Sequence, residues 1–336
     1  MYSATQNIFS SRSRIVGALF ALVAAIGFSA KAIMVKLAYL DAVDAITLLA
    51  LRMAFSLPFF LMVAARENRN TRRLPLTAKD KLAVIGLGLT GYYLASYLDF
   101  LGLQYISAGL ERLILFLYPT MVVLISALVF KHRIVRPVWF ALLISYAGIA
   151  LVFLHDLRVL QHNAPLGSLL VFGSALAYAV YLVGAGHFIA RIGATRFTAY
   201  VMTVACLACL VQFAVTHAFT DLNLPPRVYG LSIAMAVFST VLPAFMLAAA
   251  MHRIGSMHTS MIGSIGPVST IFLAYVFLGE RLSLIQILGS ILVLAGVLMI
   301  SLQRQSQNSA PAAPLLIPIG GQIINSPDQQ SSRNHP

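Results

Sequence analysis

The chain is short of charge. Only 10% of its 336 residues are Asp, Glu, Lys or Arg, against roughly a quarter in soluble domains, so it lacks the polar surface that water demands. Acidic residues are the scarcest, 10 against 23 basic ones, for a formal charge of +13. Cysteine is nearly absent as well. Two residues, Cys206 and Cys209, cannot build a disulfide framework, and their C-x-x-C lies in the apolar run 199–213 with no second pair to complete a four-ligand metal site. Packing within a helix is their expected role. No G-x-x-x-x-G-K-[ST] phosphate loop occurs, which argues against an ATP-driven pump of that type. The eight histidines are scattered, without H-x-x-x-H or a paired-aspartate motif, so neither a metal nor an enzyme active site is expected. What is abundant is hydrophobicity, at 60% of residues with a mean hydropathy of +0.87. That excludes a disordered chain and leaves a lipid bilayer as the solvent.

A helix needs about 20 mostly apolar residues to cross a bilayer. Ten such runs follow one another from Ile15 to Leu302, with Tyr229 to Met251 as the eighth and Met257 to Leu278 as the ninth. The first follows Ser11-Arg12-Ser13-Arg14 like a signal peptide, but it runs too long and lacks a cleavage site before Lys31 and Lys36, so it is expected to be retained. With ten crossings the two ends share a side. Sixteen of the 23 Lys and Arg residues fall on that side and three on the other, so both termini are expected in the cytoplasm. The basic residues form no aromatic-interleaved face; the charge is a topology signal, and no nucleic-acid partner is expected.

The chain repeats itself. An offset of 148 superposes Tyr105-Ile106 on Arg253-Ile254, Pro119 on Pro267 and Ala147-Gly148 on Ala295-Gly296, and an offset of 150 brings Gly17 onto Gly167. The expected organisation is a cytoplasmic tail 1–14, a five-helix repeat 15–154, a linker 155–164, a second repeat 165–302, and a disordered cytoplasmic tail 303–336. Five crossings per repeat is an odd number, so the second repeat runs upside down. The fold class is therefore an all-α integral membrane protein of ten transmembrane helices in two inverted-topology repeats. Many secondary transporters share this plan, with the solute site between the halves.

Five ionisable residues stand out inside the runs: Lys31, Arg52, Asp99, Glu111 and Arg112. All fall within about 10 Å of the boundary opposite the termini, so they form one layer with a net positive charge. Buried charge of this kind points to a solute or proton site; static ion pairing, or snorkelling of Lys31 and Glu111, is the structural alternative. Helical spacing aligns Gly88, Tyr92, Ala95 and Asp99, Glu111 and Tyr118, Phe20, Ala24, Gly27 and Lys31, and Leu48, Arg52, Ser56 and Phe59. The second repeat has lost all five charges and offers a neutral wall instead: Tyr178, Tyr181, Ser239, Thr240, Thr259 and Ser264. Pro119 and Pro267, at matching positions, and Pro243 read as kinks within helices. Gly148 and Gly296, each seven residues after a small residue, read as close helix contacts.

The run Val276-Phe277-Leu278-Gly279-Glu280-Arg281-Leu282, followed by Gln286, Gly289 and Gly296, resembles the end of an EamA-type repeat of the drug/metabolite transporter superfamily. Tyr105-Ile106-Ser107-Ala108 followed by Tyr118-Pro119 resembles such a repeat too, and Arg52 matches a basic position common in its first repeat. The resemblance implies a permease, often an exporter, of small organic solutes in a bacterial-type inner membrane, with no cofactor. Lys131-His132-Arg133 stands in the first repeat where Gly279-Glu280-Arg281 stands in the second, so any role of the motif glutamate falls to Glu280 alone. The net positive layer favours an anionic or zwitterionic solute such as an amino acid derivative, with Arg52 and Lys31 drawing its carboxylate. A passive channel, a non-transporting scaffold and a lipid-directed membrane enzyme are the alternatives. Association of two copies is left open.

Overall fold

The computed structural model describes residues 2–69, 75–131, 136–159, 163–263, 265–280 and 283–308. Backbone polar groups in lipid must be satisfied internally, and the apolar runs meet this requirement as helices, with no strand among the described residues. The first two crossings are α1 (Tyr2–Tyr39) and α2 (Ala45–Asn68). The third joins α3 (Ala78–Gly88) to α4 (Ala95–Leu103) through a π-helical turn at Leu89–Leu94. The fourth is α5 (Ala108–Leu115) with α6 (Tyr118–Phe130), and the fifth is α7 (Arg136–Val159). The second repeat runs α8 (Ala164–Ile192), α9 (Ala194–Thr216), α10 (Pro226–Ala236), a π-helical turn at Val237–Val241, α11 (Leu242–Gly263), α12 (Ile265–Leu278) and α13 (Leu284–Asn308). Eight of these rods are long and apolar enough to cross a membrane, and Ile265–Leu278 and Leu284–Met299 are shorter apolar helices, which together make the ten-helix membrane architecture.

Several helix starts carry their caps in the sequence. Asp44 accepts from the amides of Ile46 and Thr47 at 2.8 and 3.0 Å, Thr77 and Asp80 form a reciprocal box at α3, and Ser107 accepts from the Leu110 amide at 3.1 Å. Ser283 and Gln286 do the same for α13. Each supplies acceptors to amides that an α-helix leaves unbonded in its first turn.

The inversion is visible where equivalent helices touch. The Asp44 end of α2 meets the His217 end of α9 at 3.3 Å, and further along Met53 meets Cys206, sulfur to sulfur, at 3.7 Å, so the two helices run antiparallel. Cys206 and Cys209 are buried free thiols in this contact. α7 and α13 also cross antiparallel, with no room for side chains: a Cβ on Gly148 would stand 2.6 Å from the Gly289 carbonyl oxygen, and one on Gly296 2.5 Å from that of Ala141. The repeated residues even pair with each other. A Cβ on Gly17 would lie 2.6 Å from Ile254 Cγ2, and one on its counterpart Gly167 would lie 2.9 Å from Ile106 Cγ2.

Three features differ from the sequence reading. α1 begins at Tyr2, inside the expected N-terminal tail, and α13 reaches Asn308, whereas 309–336 lies outside the described residues. The prolines divide: Pro119 stands in the first turn of α6, after a turn at Phe116–Leu117 that breaks the fourth crossing, whereas Pro243 follows a π-helical turn inside a continuous helical rod, where a kink belongs, and Pro267 lies within α12. Proline fits the first turn of a helix, where its missing N–H would have had no partner. Finally, α11 runs unbroken past Arg253 and Gly255, where a connection between the eighth and ninth crossings was expected; in the first repeat the chain turns at Gln104–Ser107. The capping Ser107 corresponds to Gly255, which has no side chain to end or begin a helix.

Candidate functional site

The charged layer converges. α1 carries Lys31 past the small residues Ala24 and Gly27, and its ammonium forms ion pairs with Asp99 on α4 and with Glu111 on α5, the latter at 3.2 Å. The Asp99 and Glu111 side chains are 3% and 0% exposed, so Glu111 does not snorkel. Three of the five charges expected in one layer thus touch, and they join three separate crossings.

The two arginines are held differently. Arg52 is 5% exposed; its Nε donates to Thr240 Oγ1 at 3.0 Å and its guanidinium lies 5.2 Å from the centre of the Phe100 ring. Arg52 Nη1 is buried without a hydrogen-bond partner, and so is Arg112 Nε. Neither arginine forms an ion pair with a carboxylate among the described residues, because Lys31 takes both Asp99 and Glu111. Arg112 lies against bare backbone: a Cβ on Gly266 would stand 2.6 Å from its Nη2. The Gly266 carbonyl is fixed from α1 by the Ser29 hydroxyl at 2.9 Å and from α12 by Thr270 at 3.2 Å.

Beside Arg112 stands a cluster of tyrosines. Tyr118 packs edge-on against Tyr178 at 5.3 Å, Tyr178 stacks on Tyr181 at 5.7 Å, and Tyr92 meets Tyr181 at 5.1 Å and Tyr178 at 6.2 Å. Arg112 is within electrostatic reach of Tyr118 and Tyr178. Gly91, in the first π-helical turn, passes so close to the Tyr181 ring that no Cβ would fit. Tyr92, Tyr118 and Tyr178 lie deep in the bundle yet keep partly accessible surfaces, as side chains bordering a space do. Tyr181, 3% exposed, stacks instead on Phe197 at 6.3 Å.

The neutral wall divides. Thr240 reaches the site through Arg52, whereas the Ser239 hydroxyl donates to the Gly27 carbonyl at 2.6 Å and fastens α1 to the second π-helical turn. Thr259 is buried, and Ser264 lies outside the described residues. Phe59 does not join Arg52; it is 42% exposed while Phe60 is fully buried, since the buried stripe of α2 runs in steps of four through Arg52, Ser56, Phe60 and Ala64 and leaves Phe59 outside it. Phe100 and Gly266 were not anticipated. Their signals were slight: an aromatic next to Asp99, and a glycine before Pro267.

Glu280 stands outside this layer but is linked to it. Its Oε1 accepts from the Ala108 amide at 3.2 Å, so it caps the N-terminus of α5, the helix that bears Glu111 and Arg112, and Lys36 is within its electrostatic reach. The chain reaches Glu280 through Gly279 in a left-handed conformation, φ +66. A mostly apolar cleft between α5, α12 and α13 has Glu280, Gln286 and Ser290 among its lining residues, beside the charged layer rather than within it.

At the face opposite the termini, Asp44 pairs with His217 and Asp41 with Arg227 at 3.8 Å. Partial burial works against the charge of Asp44, but hydrogen bonds from Thr47 and Ile46 and the nearby His217 outweigh it and hold the carboxyl below its ordinary value.

The EamA-like transporter family model matches residues 15–154 and 165–302, the two five-helix units. The uncharacterized transporter YcbK of Bacillus subtilis (strain 168) is 31% identical over 287 residues, 83% of this chain and 90% of the relative. The uncharacterized transporter YyaM of the same organism is 25% identical over 66% of this chain and 73% of its own length. A crystal structure of a protein superposes with a TM-score of 0.61 at 17% identity, over 87% of this chain and 99% of the other, a likeness of fold alone. With both repeats matched and the inverted bundle on which they lie, the chain belongs to the EamA-like transporter family and is a membrane transporter.

Proposed function

We propose that this protein moves a small organic anion or zwitterion, such as an amino acid derivative, by alternating access between its two inverted halves. It does so as a secondary transporter coupled to an ion gradient, exporting the solute across a bacterial-type inner membrane with both termini in the cytoplasm. The observation that carries the reading is the pair of guanidinium groups, Arg52 and Arg112, that meet no carboxylate among the described residues although both lie inside the bundle. Buried charge without a counter-charge is costly, and a planar carboxylate is the partner a guanidinium fits in two hydrogen bonds. Lys31 is the weaker anchor of the three, being engaged by Asp99 and Glu111. The partly accessible rings of Tyr92, Tyr118 and Tyr178 border the place where the body of the solute would rest. The excess of Lys and Arg on the terminal side supports the orientation.

The test is uptake and efflux of a panel of monocarboxylates and zwitterions in oriented vesicles, with and without a proton ionophore. Arg52→Gln and Arg112→Gln are expected to lose flux of the solute that wild type carries. Wild-type flux from both variants removes the arginines from the mechanism, and absence of any flux from a panel spanning these classes removes the solute assignment.

A further inference from the structure

Lys31 serves two carboxylates at once, and the sharing is incomplete. Asp99 and Glu111 both reach its ammonium, yet Asp99 Oδ1 and Glu111 Oε2 are buried with no hydrogen-bond partner among the described residues. An enclosed, ionised carboxylate needs donors around it. Two acidic groups gathered at one cation, away from water, do not both stay ionised readily, because each disfavours the charge of the other. A single proton on the pair relieves both difficulties: it removes one negative charge and supplies an O–H donor where one is missing.

We propose that Asp99 and Glu111, clasped by Lys31, form a binding site for one exchangeable proton, and that this proton is the coupling ion of the transport cycle. The second half of the proposal rests on the transport reading above. Uptake forms an O–H bond between a proton from water and one carboxylate oxygen; release breaks that bond and returns the proton to water. No electron is transferred. The charged and titratable groups around the pair are Lys31, Lys36 and Tyr39 from α1, Arg52 from α2, Arg112 from α5, and Glu280, which faces Lys36. All of the cations among them oppose protonation, and the doubled carboxylate favours it.

The geometry also supplies the link to the solute. α5 is only eight residues long, bounded by the Ser107 cap on one side and the Phe116–Leu117 turn on the other. Glu111 and Arg112 are consecutive on it. Protonation weakens the hold of Lys31 on Glu111, and any tilt of α5 that follows carries the Arg112 guanidinium with it. Proton and solute therefore act on one short rigid element, which is the two-state part that coupling between sites requires.

The experiment is an infrared pH titration of the full-length protein in detergent, with no solute and no gradient, reading the carbonyl stretch of protonated carboxyl groups. The wild type is expected to show one such group that persists above the pH at which exposed carboxyls ionise and then disappears in a single step. Asp99→Asn or Glu111→Gln leaves one carboxylate for one ammonium and is expected to move that step down by about one pH unit or more, a tenfold or greater loss of proton affinity. Lys31→Met moves it up, and Asp221→Asn, at an exposed carboxyl, leaves it in place. Should Lys31→Met fail to fold, the two near-isosteric variants carry the test. No persistent band in wild type, or a step unchanged in both single variants, overturns the proton site. Because no solute is present, this failure is distinct from a failure of flux: a band that behaves as expected beside absent transport keeps the proton site and overturns its coupling role.

Discussion

Adding one methyl group at Gly266 tests the role of Arg112 without touching the arginine. A Cβ there would stand 2.6 Å from Arg112 Nη2, about 1 Å inside ordinary contact, so Gly266→Ala forces the guanidinium aside. The displaced atom is the tip of a long flexible side chain, and an off-rotamer adjustment costs about 1 kcal/mol, so thermal stability is expected to change little. Gly148→Ala is the control. Its Cβ would stand 2.6 Å from the Gly289 carbonyl oxygen, backbone that cannot turn away unless α7 and α13 part, and overpacking of this kind costs about 1–3 kcal/mol. If Arg112 holds the solute carboxylate, Gly266→Ala loses a charge-assisted hydrogen bond worth about 1.5–3 kcal/mol, which raises KM about 10- to 150-fold. The assays are solute flux in vesicles and thermal unfolding in detergent. An unchanged KM refutes the role given to Arg112; a drop in Tm as large as that of Gly148→Ala refutes the geometry.

Lys31→Met strips the counter-charge from two buried carboxylates and is expected to destabilise the fold by about 3–5 kcal/mol, a deficit that narrows in acid as the carboxylates take up protons; equal unfolding temperatures for variant and wild type at neutral pH would contradict it. Lys131, at φ 54, occupies the position equivalent to Gly279, and the left-handed conformation costs a side chain about 1–2 kcal/mol. Lys131→Gly is therefore expected to stabilise by up to about 1 kcal/mol after the added freedom of the unfolded glycine is counted, and a lowered Tm would count against the backbone assignment. Asp44→Ala removes the cap of α2 and is expected to cost about 1 kcal/mol. Because the folded carboxyl titrates below its unfolded value, that contribution is present above about pH 4 and is lost as the pH falls through the folded value. The gap in Tm between wild type and Asp44→Ala should close in acid, and a gap independent of pH would show that the charge of Asp44 is not what caps the helix.

The long apolar runs made the helices legible, because a bilayer leaves the backbone almost no other option. The meeting of Lys31, Asp99 and Glu111 was legible too, since depth along a span follows from counting residues. Facing was harder to read. The π-helical turns at Leu89–Leu94 and Val237–Val241 and the break at Phe116–Leu117 each reset the helical phase, which a period of 3.6 residues carried straight through them. The unbroken α11 was hidden because the residues that start a new helix at the matching place in the first repeat, Ser107 and the distant Glu280, are recognised only as partners of particular amides. Gly266 gave no sign of its neighbour, because contact between a glycine and an arginine tip 154 positions away leaves no local pattern.

If the duplicated units were identical, turning the molecule over would exchange its two open shapes, and neither side of the membrane would be preferred at rest. Any preference must therefore reside where the copies have diverged. Glu280 clamps the start of α5 at one rim, while its counterpart in the sequence is a histidine and the corresponding stretch of α11 continues as helix without a turn. On the alternating-access reading, the default orientation of the molecule is thus set by its mismatched positions, and those at the rim are open to resetting by substitutions that never touch the cargo.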